Sequence, residues 1–91
     1  ERKSPLVVVT PGMVELGPVQ RERNSQLAQS VVKAGGTLVI VGRTNRKAML
    51  KGAGGKADVF DTRREAVTHA LQIAGEQGVI LYENDLPDHY P

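Results

Sequence analysis

Residues 6–18 read Leu6-Val7-Val8-Val9-Thr10-Pro11-Gly12-Met13-Val14-Glu15-Leu16-Gly17-Pro18. The aliphatic run at the start is too short for a helix and rich in β-branched side chains, so it predicts a strand buried on both faces, as at the centre of a parallel sheet. Pro11 and Gly12 end this strand. Pro18 then stands at the first position of a helix, where its fixed φ is favourable. The segment therefore predicts the first half of a β-α-β unit.

The remainder of the chain repeats this alternation of strand and helix. We expect strands at residues 6–10, 37–41, 57–60 and 79–82. Helices are expected at about 18–34 and 63–75, with a short helix around Ala48, Met49 and Leu50 that ends in the glycines of 52–55. The alternation predicts one α/β domain over residues 1–91, a three-layer α/β/α, Rossmann-like parallel sheet with right-handed crossovers. Because Asp58 weakens the third strand, we place it at an edge and predict the strand order 3-2-1-4.

Residue types near the helix ends predict how the helices begin and which faces they bury. Thr62 and Glu65 have the spacing of a capping box, in which each side chain satisfies a backbone amide near the other. Thr44 or Asn45 is predicted to cap the short second helix. Residues at helical spacing are expected to be buried; they are Leu27, Ala28, Val31, Val32 and Ala34 in the first helix, and Ala66, Val67, Ala70, Leu71 and Ala74 in the third.

Composition argues against several classes of function. The chain has 91 residues, a net charge of +2 and only 3% aromatic residues, and its basic residues are spread along the sequence. Because aromatic side chains that stack on bases are scarce, nucleic-acid binding is not predicted. Cysteine is absent, which excludes a disulfide framework and a thiol nucleophile. No apolar run has membrane-spanning length, and because the chain starts at Glu1 rather than Met we expect a piece of a longer, cytoplasmic protein.

The loops that follow the strands hold the candidate site residues. Ligands of parallel α/β sheets bind outside the carboxyl ends of the strands. The candidate substrate-binding residues in these loops are Gly12, Glu15, Arg43, Thr44, Asn45, Glu83, Asn84 and Asp85. Two interpretations stay open for residues 43–45, an anion site or a helix cap beside a solvated arginine. Likewise, Glu15 either contacts a substrate or only complements the dipole of the following helix.

No complete catalytic or metal site is recognisable in the sequence. Gly12 and Gly17 have the spacing of a P-loop, but Pro18 and Val19 stand where the phosphate-binding Lys and the Ser or Thr would follow, so we reject a Walker A site. Turn geometry and close packing are the favoured interpretation of both glycines. Potential ligands near the end of the chain, Asp85, Asp88 and His89, lack a partner cluster. His69 is expected to be exposed on the third helix. We assign no catalytic residue and no metal ligand.

The segment Val9-Thr10-Pro11-Gly12-Met13-Val14-Glu15-Leu16-Gly17, after a buried strand, resembles the C-terminal domain of the Mur ligases. It is most similar to the branch that adds D-alanyl-D-alanine to the peptidoglycan precursor. The later pieces resemble that domain in the same order, so that the likeness covers nearly the whole chain; they are Leu38-Val39-Ile40-Val41-Gly42, Val59-Phe60, Glu65-Ala66 and Val79-Ile80-Leu81-Tyr82.

The resemblance implies an ATP-dependent amide ligase of cell-wall peptidoglycan biosynthesis. In that family an acyl phosphate forms on a carboxylate of a UDP-linked muramyl peptide precursor, and the amine of an amino acid or dipeptide displaces phosphate. The C-terminal domain closes over ATP and helps to bind the incoming amine, whereas the P-loop and the magnesium ligands belong to a central domain. The fragment is therefore expected to be inactive alone and to hold no cofactor itself. The family also implies further strands upstream of Glu1, which would leave the fourth strand without a neighbour here.

The end of the last strand departs from the D-alanyl-D-alanine-adding branch. Where that branch has Lys-Gly-Ser, this chain has Glu83-Asn84-Asp85, which replaces a positive charge by two negative ones. Since the fourth strand is predicted beside the first, these carboxylates would lie near Glu15 and form an acidic rim suited to an amine. A second hypothesis is a non-catalytic Rossmann-like binding or protein-interaction domain that shares only the architecture. An upstream Gly-x-Gly-Lys-Thr/Ser motif would distinguish the ligase from this alternative.

Overall fold

A four-stranded parallel sheet carries helices on both of its faces in the computed structural model, which describes residues 4–83. The strands are β1 (Leu6–Thr10), β2 (Thr37–Val41), β3 (Asp58–Phe60) and β4 (Val79–Tyr82). The helices are α1 (Gln20–Lys33), α2 (Arg46–Gly52) and α3 (Arg63–Ala74), with a 3-10 turn at Gly17–Val19. The strand order is β3-β2-β1-β4, and every pairing is parallel. Both the predicted order and the three-layer α/β/α architecture are confirmed.

Strand β1 lies in the centre of the sheet and is buried on both faces. Val8 pairs with Leu38 of β2 on one side and with Leu81 of β4 on the other. Val7 and Val9 are completely buried, and Val8 nearly so. Since side chains alternate across a strand, Val8 faces one helical layer while Val7 and Val9 face the other. The uninterrupted aliphatic run is thus explained by burial on both sides.

A hydrophobic core lies on each face of the sheet, between the strands and the helices that cover them. On one face, α1 and α2 pack against β1 and β2 through Val8, Ala28, Val31, Leu38, Ile40, Met49 and Ala53. On the other face, α3 contributes a line of alanines, and this core is formed by Val7, Val9, Val39, Ala66, Ala70 and Ala74. Aliphatic and small side chains fill both cores.

The prediction that Leu71 of α3 is buried is wrong, because this residue is 57% exposed. Ala66, Ala70 and Ala74 form the line that contacts the sheet. Because each residue of an α-helix is rotated by about 100° from the one before, Leu71 is turned away from that line. Ala34 is also exposed, since it is the C-cap residue beyond the end of α1. Leu27, Val32 and Val67 are half-buried at the margins of the cores.

The first residues of α1 and α3 agree only partly with the helix starts that the sequence predicts. The first helical segment opens with the 3-10 turn that contains Pro18, and the α-helix begins only at Gln20. At the start of α3, the Thr62 hydroxyl accepts a hydrogen bond from the Glu65 amide at 3.2 Å, as a capping box predicts. The reciprocal half differs, because the Glu65 carboxylate accepts from the Thr62 hydroxyl at 3.0 Å. The third strand begins at Asp58, one residue later than predicted, and lies at the predicted edge.

Strand β4 forms the opposite edge of the sheet and is covered on one face. Ile80 packs into the α3 core. Val79 and Leu81 alternate with it and are 55% and 45% exposed. Tyr82 is also exposed, with the Arg63 guanidinium 5.7 Å from the centre of its ring. The sheet therefore ends on an apolar strand that α1 and α2 leave open.

We expect Gly52→Ala to destabilise the protein, because Gly52 lies at a close approach of α2 to α1. A Cβ atom at this position would collide with the carbonyl group of Ser25. Helix propensity alone would favour alanine by about 1 kcal/mol. Overpacking against backbone typically costs about 1–3 kcal/mol, so we expect a net loss in the free energy of unfolding.

Urea unfolding followed by circular dichroism measures this change, with Lys51→Ala at the preceding exposed position as the control. A Gly52→Ala protein as stable as the parent would show that the two helices are not in such close contact.

Candidate functional site

The loop that follows β1, residues 11–16 (the first loop), is held by a buried asparagine of α1. Asn24 is completely buried. Its Oδ1 accepts a hydrogen bond from the Met13 amide at 2.7 Å, and its Nδ2 donates to the Met13 and Gln20 carbonyl oxygens, both at 2.9 Å. One side chain thus satisfies both peptide groups of Met13. Sequence reasoning missed Asn24, although an asparagine inside an otherwise amphipathic helix is a signal that could have found it.

A second buried asparagine holds the same loop from the other side. Asn45 Nδ2 donates to the carbonyl oxygens of Pro11 and Met13, both at 3.1 Å, and its Oδ1 accepts from Gln20 Nε2 at 2.9 Å. Asn45 occupies the N-cap position of α2, but its side chain makes no capping hydrogen bond, so the predicted cap is wrong. Its Nδ2 group donates to carbonyl oxygens of the first loop instead. Asn45 therefore joins the loops that follow β1 and β2.

Gly12 lies where the two asparagines meet. Its φ is +88°, and a Cβ atom would stand 2.6 Å from Asn24 Oδ1 and 2.7 Å from Asn45 Nδ2. Its amide donates to Thr10 Oγ1 at 2.9 Å. Turn geometry and close packing together account for this glycine, as the sequence suggested. Gly17 also has a positive φ, +64°, but there is open space around it.

Arg43 is engaged in an ion pair at the exposed edge of the sheet. Its Nε and Nη2 atoms donate to the two carboxylate oxygens of Asp61 at 3.1 and 3.2 Å, and Arg46 Nη2 donates to Asp61 at 2.9 Å. The hydrogen bonds from Arg43 and Arg46 lower the pKa of Asp61, and the same contact raises the pKa of Arg43. The predicted anion-binding arginine thus has an acidic partner from the loop that follows β3.

The remaining candidate residues lie in the loops that follow β1, β2 and β4. The Glu83 amide donates to the Val9 carbonyl oxygen at 3.0 Å, so the segment after β4 starts beside β1. Glu15 is exposed in the first loop, with a φ of +63°. Thr44 is exposed, and its hydroxyl has no hydrogen bond within residues 4–83. Asn84 and Asp85 lie outside the described residues, and so do the other parts of the predicted tail. The acidic rim stays a prediction.

A cleft of about 780 Å³ opens between the start of α1 and α2, next to the first loop. We call it the basic cleft. Its lining residues are Gly17, Pro18, Gln20, Arg21, Thr44, Asn45, Lys47, Ala48 and Lys51. Three of them are cations and none is a carboxylate. Thr44 and Asn45 were among the predicted substrate-binding residues. Arg21, Lys47 and Lys51 were not, since their convergence depends on how α1 packs on α2.

His69 is half-buried rather than exposed as predicted. Its Nε2 lies 2.8 Å from Asp58 Oδ2, and its ring centre lies 4.9 Å from that of Phe60. Both partners belong to the edge strand β3, over which α3 crosses. The histidine therefore connects α3 to β3, far along the sheet from the first loop.

The described residues contain neither a cluster of metal-ligating side chains nor a membrane-spanning helix. Within residues 4–83, no group of three or more His, Asp or Glu side chains is placed to hold a metal ion. No helix in the same range is both long and apolar enough to cross a membrane.

No protein-family model, curated protein or solved structure matches this chain.

We expect Asn45→Ala to destabilise the protein by about 1–3 kcal/mol, the cost of leaving buried polar groups unpaired. The change removes the donor to the Pro11 carbonyl oxygen and the acceptor for Gln20 Nε2. Chemical unfolding measures the loss, with Thr44→Ala as the adjacent exposed control. Equal stability of the two variants would contradict the role of Asn45 in holding the first loop.

We expect the carboxyl group of Asp61 to titrate below the usual aspartate pKa, and Arg43→Gln to raise that pKa toward its usual value. Because the folded-state pKa is lowered, the contribution of Asp61 to stability is present above the unfolded-state pKa and is lost as the pH falls through the folded-state pKa. A carbon-detected NMR titration of the carboxyl group measures both values. An Asp61 pKa that is the same in the parent and in Arg43→Gln would show that the pair does not form in solution.

Proposed function

We propose that this chain is the C-terminal, substrate-binding domain of an ATP-dependent Mur-type amide ligase that acts in the synthesis of peptidoglycan precursors. The supporting observation is the first loop. It carries the segment Gly12-Met13-Val14-Glu15-Leu16-Gly17, on which the resemblance to this family depends, and it stands at the carboxyl edge of the central strand. Asn24 and Asn45 hold it there by four hydrogen bonds to the backbone of Pro11 and Met13, and both asparagines also bond to Gln20. A rigid loop at this edge, beside an open cleft, is suited to binding a substrate.

The proposed domain contributes binding groups rather than reacting groups. In the complete ligase, a central domain holds ATP and magnesium, and an acyl phosphate forms on a carboxylate of the UDP-linked muramyl peptide. The amine of an amino acid or dipeptide then displaces phosphate. The carboxylates of Glu15, Glu83 and Asp85 suit the ammonium form of that amine, since opposite charges attract. Gly12, Thr44, Asn45 and Asn84 complete the proposed substrate edge, in a cytoplasmic enzyme.

Arg43 fits this proposal in spite of its pairing with Asp61. Both side chains are largely exposed, at 75% and 56% of their surface. Exposed ion pairs contribute little to stability, because water and salt screen them. A substrate carboxylate or phosphate can therefore replace Asp61 as the partner of Arg43 at small cost.

The exposed β4 strand supports a larger sheet in the complete protein. Val79 and Leu81 lie on the same face of the sheet as α1 and α2, and both are open to solvent because neither helix covers β4. A further strand of a complete Mur-type domain would pair with β4 and extend the sheet on this side. The same surface favours the second candidate function, a non-catalytic domain that binds another protein through β4. The two candidates differ in the polypeptide that precedes Glu1, where only the ligase requires a P-loop.

The ligase proposal predicts phosphate release by the full-length gene product only when ATP, a UDP-linked muramyl peptide and an amine are all present. The 91-residue chain alone should hydrolyse no ATP, since it has no P-loop lysine. A coupled assay for phosphate measures both. A gene without an upstream Gly-x-Gly-Lys-Thr/Ser motif, or ATP hydrolysis by the isolated chain, would contradict the proposal.

The acidic rim is tested by Glu83→Gln and Asp85→Asn in the full-length enzyme. We expect the Michaelis constant for the amine to rise by about tenfold, because an ionic hydrogen bond is lost, while the constant for ATP stays unchanged. Glu76→Gln, which precedes β4 at the opposite end of that strand, is the matched control. Unchanged kinetics in both rim variants would refute the rim.

A further inference from the structure

We propose that the basic cleft is a binding site for a small anion that carries a pyrophosphate or diphosphate group. The proposal rests on the cleft itself and holds whether or not the chain belongs to a ligase. It differs from the predicted substrate edge because its charged residues, Arg21, Lys47 and Lys51, are absent from that set.

The three cations of the cleft have no acidic partner among residues 4–83. None of the residues that line the cleft is an aspartate or a glutamate. Within residues 4–83, Arg21, Lys47 and Lys51 form no ion pair and no side-chain hydrogen bond. Arg43 and Arg46, which lie nearby in sequence, are by contrast both paired with Asp61. The cleft therefore retains uncompensated positive charge next to arginines that are neutralised.

The arrangement of the two lysines carries an electrostatic cost. Lys47 and Lys51 are four residues apart, which places them on the same face of α2, where like charges repel. The sequence of α2, Arg46-Lys47-Ala48-Met49-Leu50-Lys51-Gly52, contains no acidic residue that would offset this. Arg21 adds a third positive charge from the start of α1. An anion bound between the helices would remove the repulsion.

The cleft also has a fixed floor and a free hydroxyl donor. The floor is the pair of amide side chains in which Gln20 Nε2 donates to Asn45 Oδ1, itself held by the first loop. The exposed Thr44 hydroxyl lies at the rim, without a hydrogen-bonding partner in the described part of the chain. A volume of about 780 Å³ falls within the usual size of small-molecule sites. Three cations and a hydroxyl match the several oxygens and multiple negative charges of linked phosphates better than a single carboxylate.

A nucleic acid is the less suitable ligand for this surface. The cations converge in a concave cleft instead of forming a long stripe, and no aromatic side chain lines it on which a base could stack. We therefore assign the site to a small molecule.

The test is an NMR titration of the 15N-labelled, 91-residue chain with sodium pyrophosphate at constant ionic strength. We expect the largest amide shifts at residues 17–21 and 44–51, and a dissociation constant that increases with salt, because the attraction is ionic. Lys47→Gln, Lys51→Gln and Arg21→Gln should each weaken binding by about tenfold, as expected for the loss of a charge-assisted hydrogen bond. Lys33→Gln removes the same charge from an exposed position at the other end of α1 and should leave binding unchanged.

Two further titrations separate the sources of the phosphate group. Tighter binding of a nucleoside diphosphate than of pyrophosphate would show that the cleft also holds the nucleoside, and equal affinity would restrict the ligand to the phosphates; both results support the site. Tighter binding of a single-stranded oligonucleotide would overturn the assignment to a small molecule. Absence of shifts at residues 17–21 and 44–51, or equal weakening by Lys33→Gln and Lys47→Gln, would overturn the site.

Discussion

The backbone of residues 11–13 leaves the central strand in a partly buried position, and two buried amide side chains satisfy its polar groups. Asn24 pairs with both polar groups of Met13, and Asn45 donates to Pro11 and Met13. Because an unpaired buried polar group is costly, this requirement fixes the position of α1, which carries Asn24, and of α2, which Asn45 precedes. It also explains why residue 12 is a glycine, since a larger side chain would displace both amides. The carboxyl edge of the sheet depends on this small network.

Much of the fold could be predicted because it depends on local pattern. The aliphatic runs of β1 and β2 are short, uninterrupted and bounded by Gly or Pro, and Asp58 marked β3 as an edge strand. Leu71 was assigned wrongly because the contact line of α3 consists of alanines, so hydrophobicity alone does not indicate which side of the helix meets the sheet. The site was harder to predict, since Asn45 contacts residues more than thirty positions away and has the same sequence signature as a helix cap.

The basic residues at the carboxyl edge illustrate why a sequence motif does not determine a site. Residues 43–51 contain four cations within nine positions. In the folded chain, Asp61, which follows β3, forms ion pairs with Arg43 and Arg46. Lys47 and Lys51 line the cleft together with Arg21. Which cations stay available to a ligand is therefore decided by the parallel packing of β2 beside β3 and by the crossing of α1 with α2.

The backbone of the cleft is held more firmly than its charged side chains, and this bears on how a ligand would enter. The floor and the inner wall are fixed by the Gln20–Asn45 amide pair and by the close approach of Gly52 to Ser25, which keeps α2 against α1. The charged ends of Arg21, Lys47 and Lys51 extend into solvent from these fixed backbones. A ligand would therefore order long side chains without moving the helices, so the main cost of binding is side-chain entropy rather than rearrangement of the fold. Each cationic side chain that becomes ordered costs entropy, and an ionic contact with the ligand offsets that cost. The affinity of such a site is therefore expected to increase with each additional negative charge on the ligand.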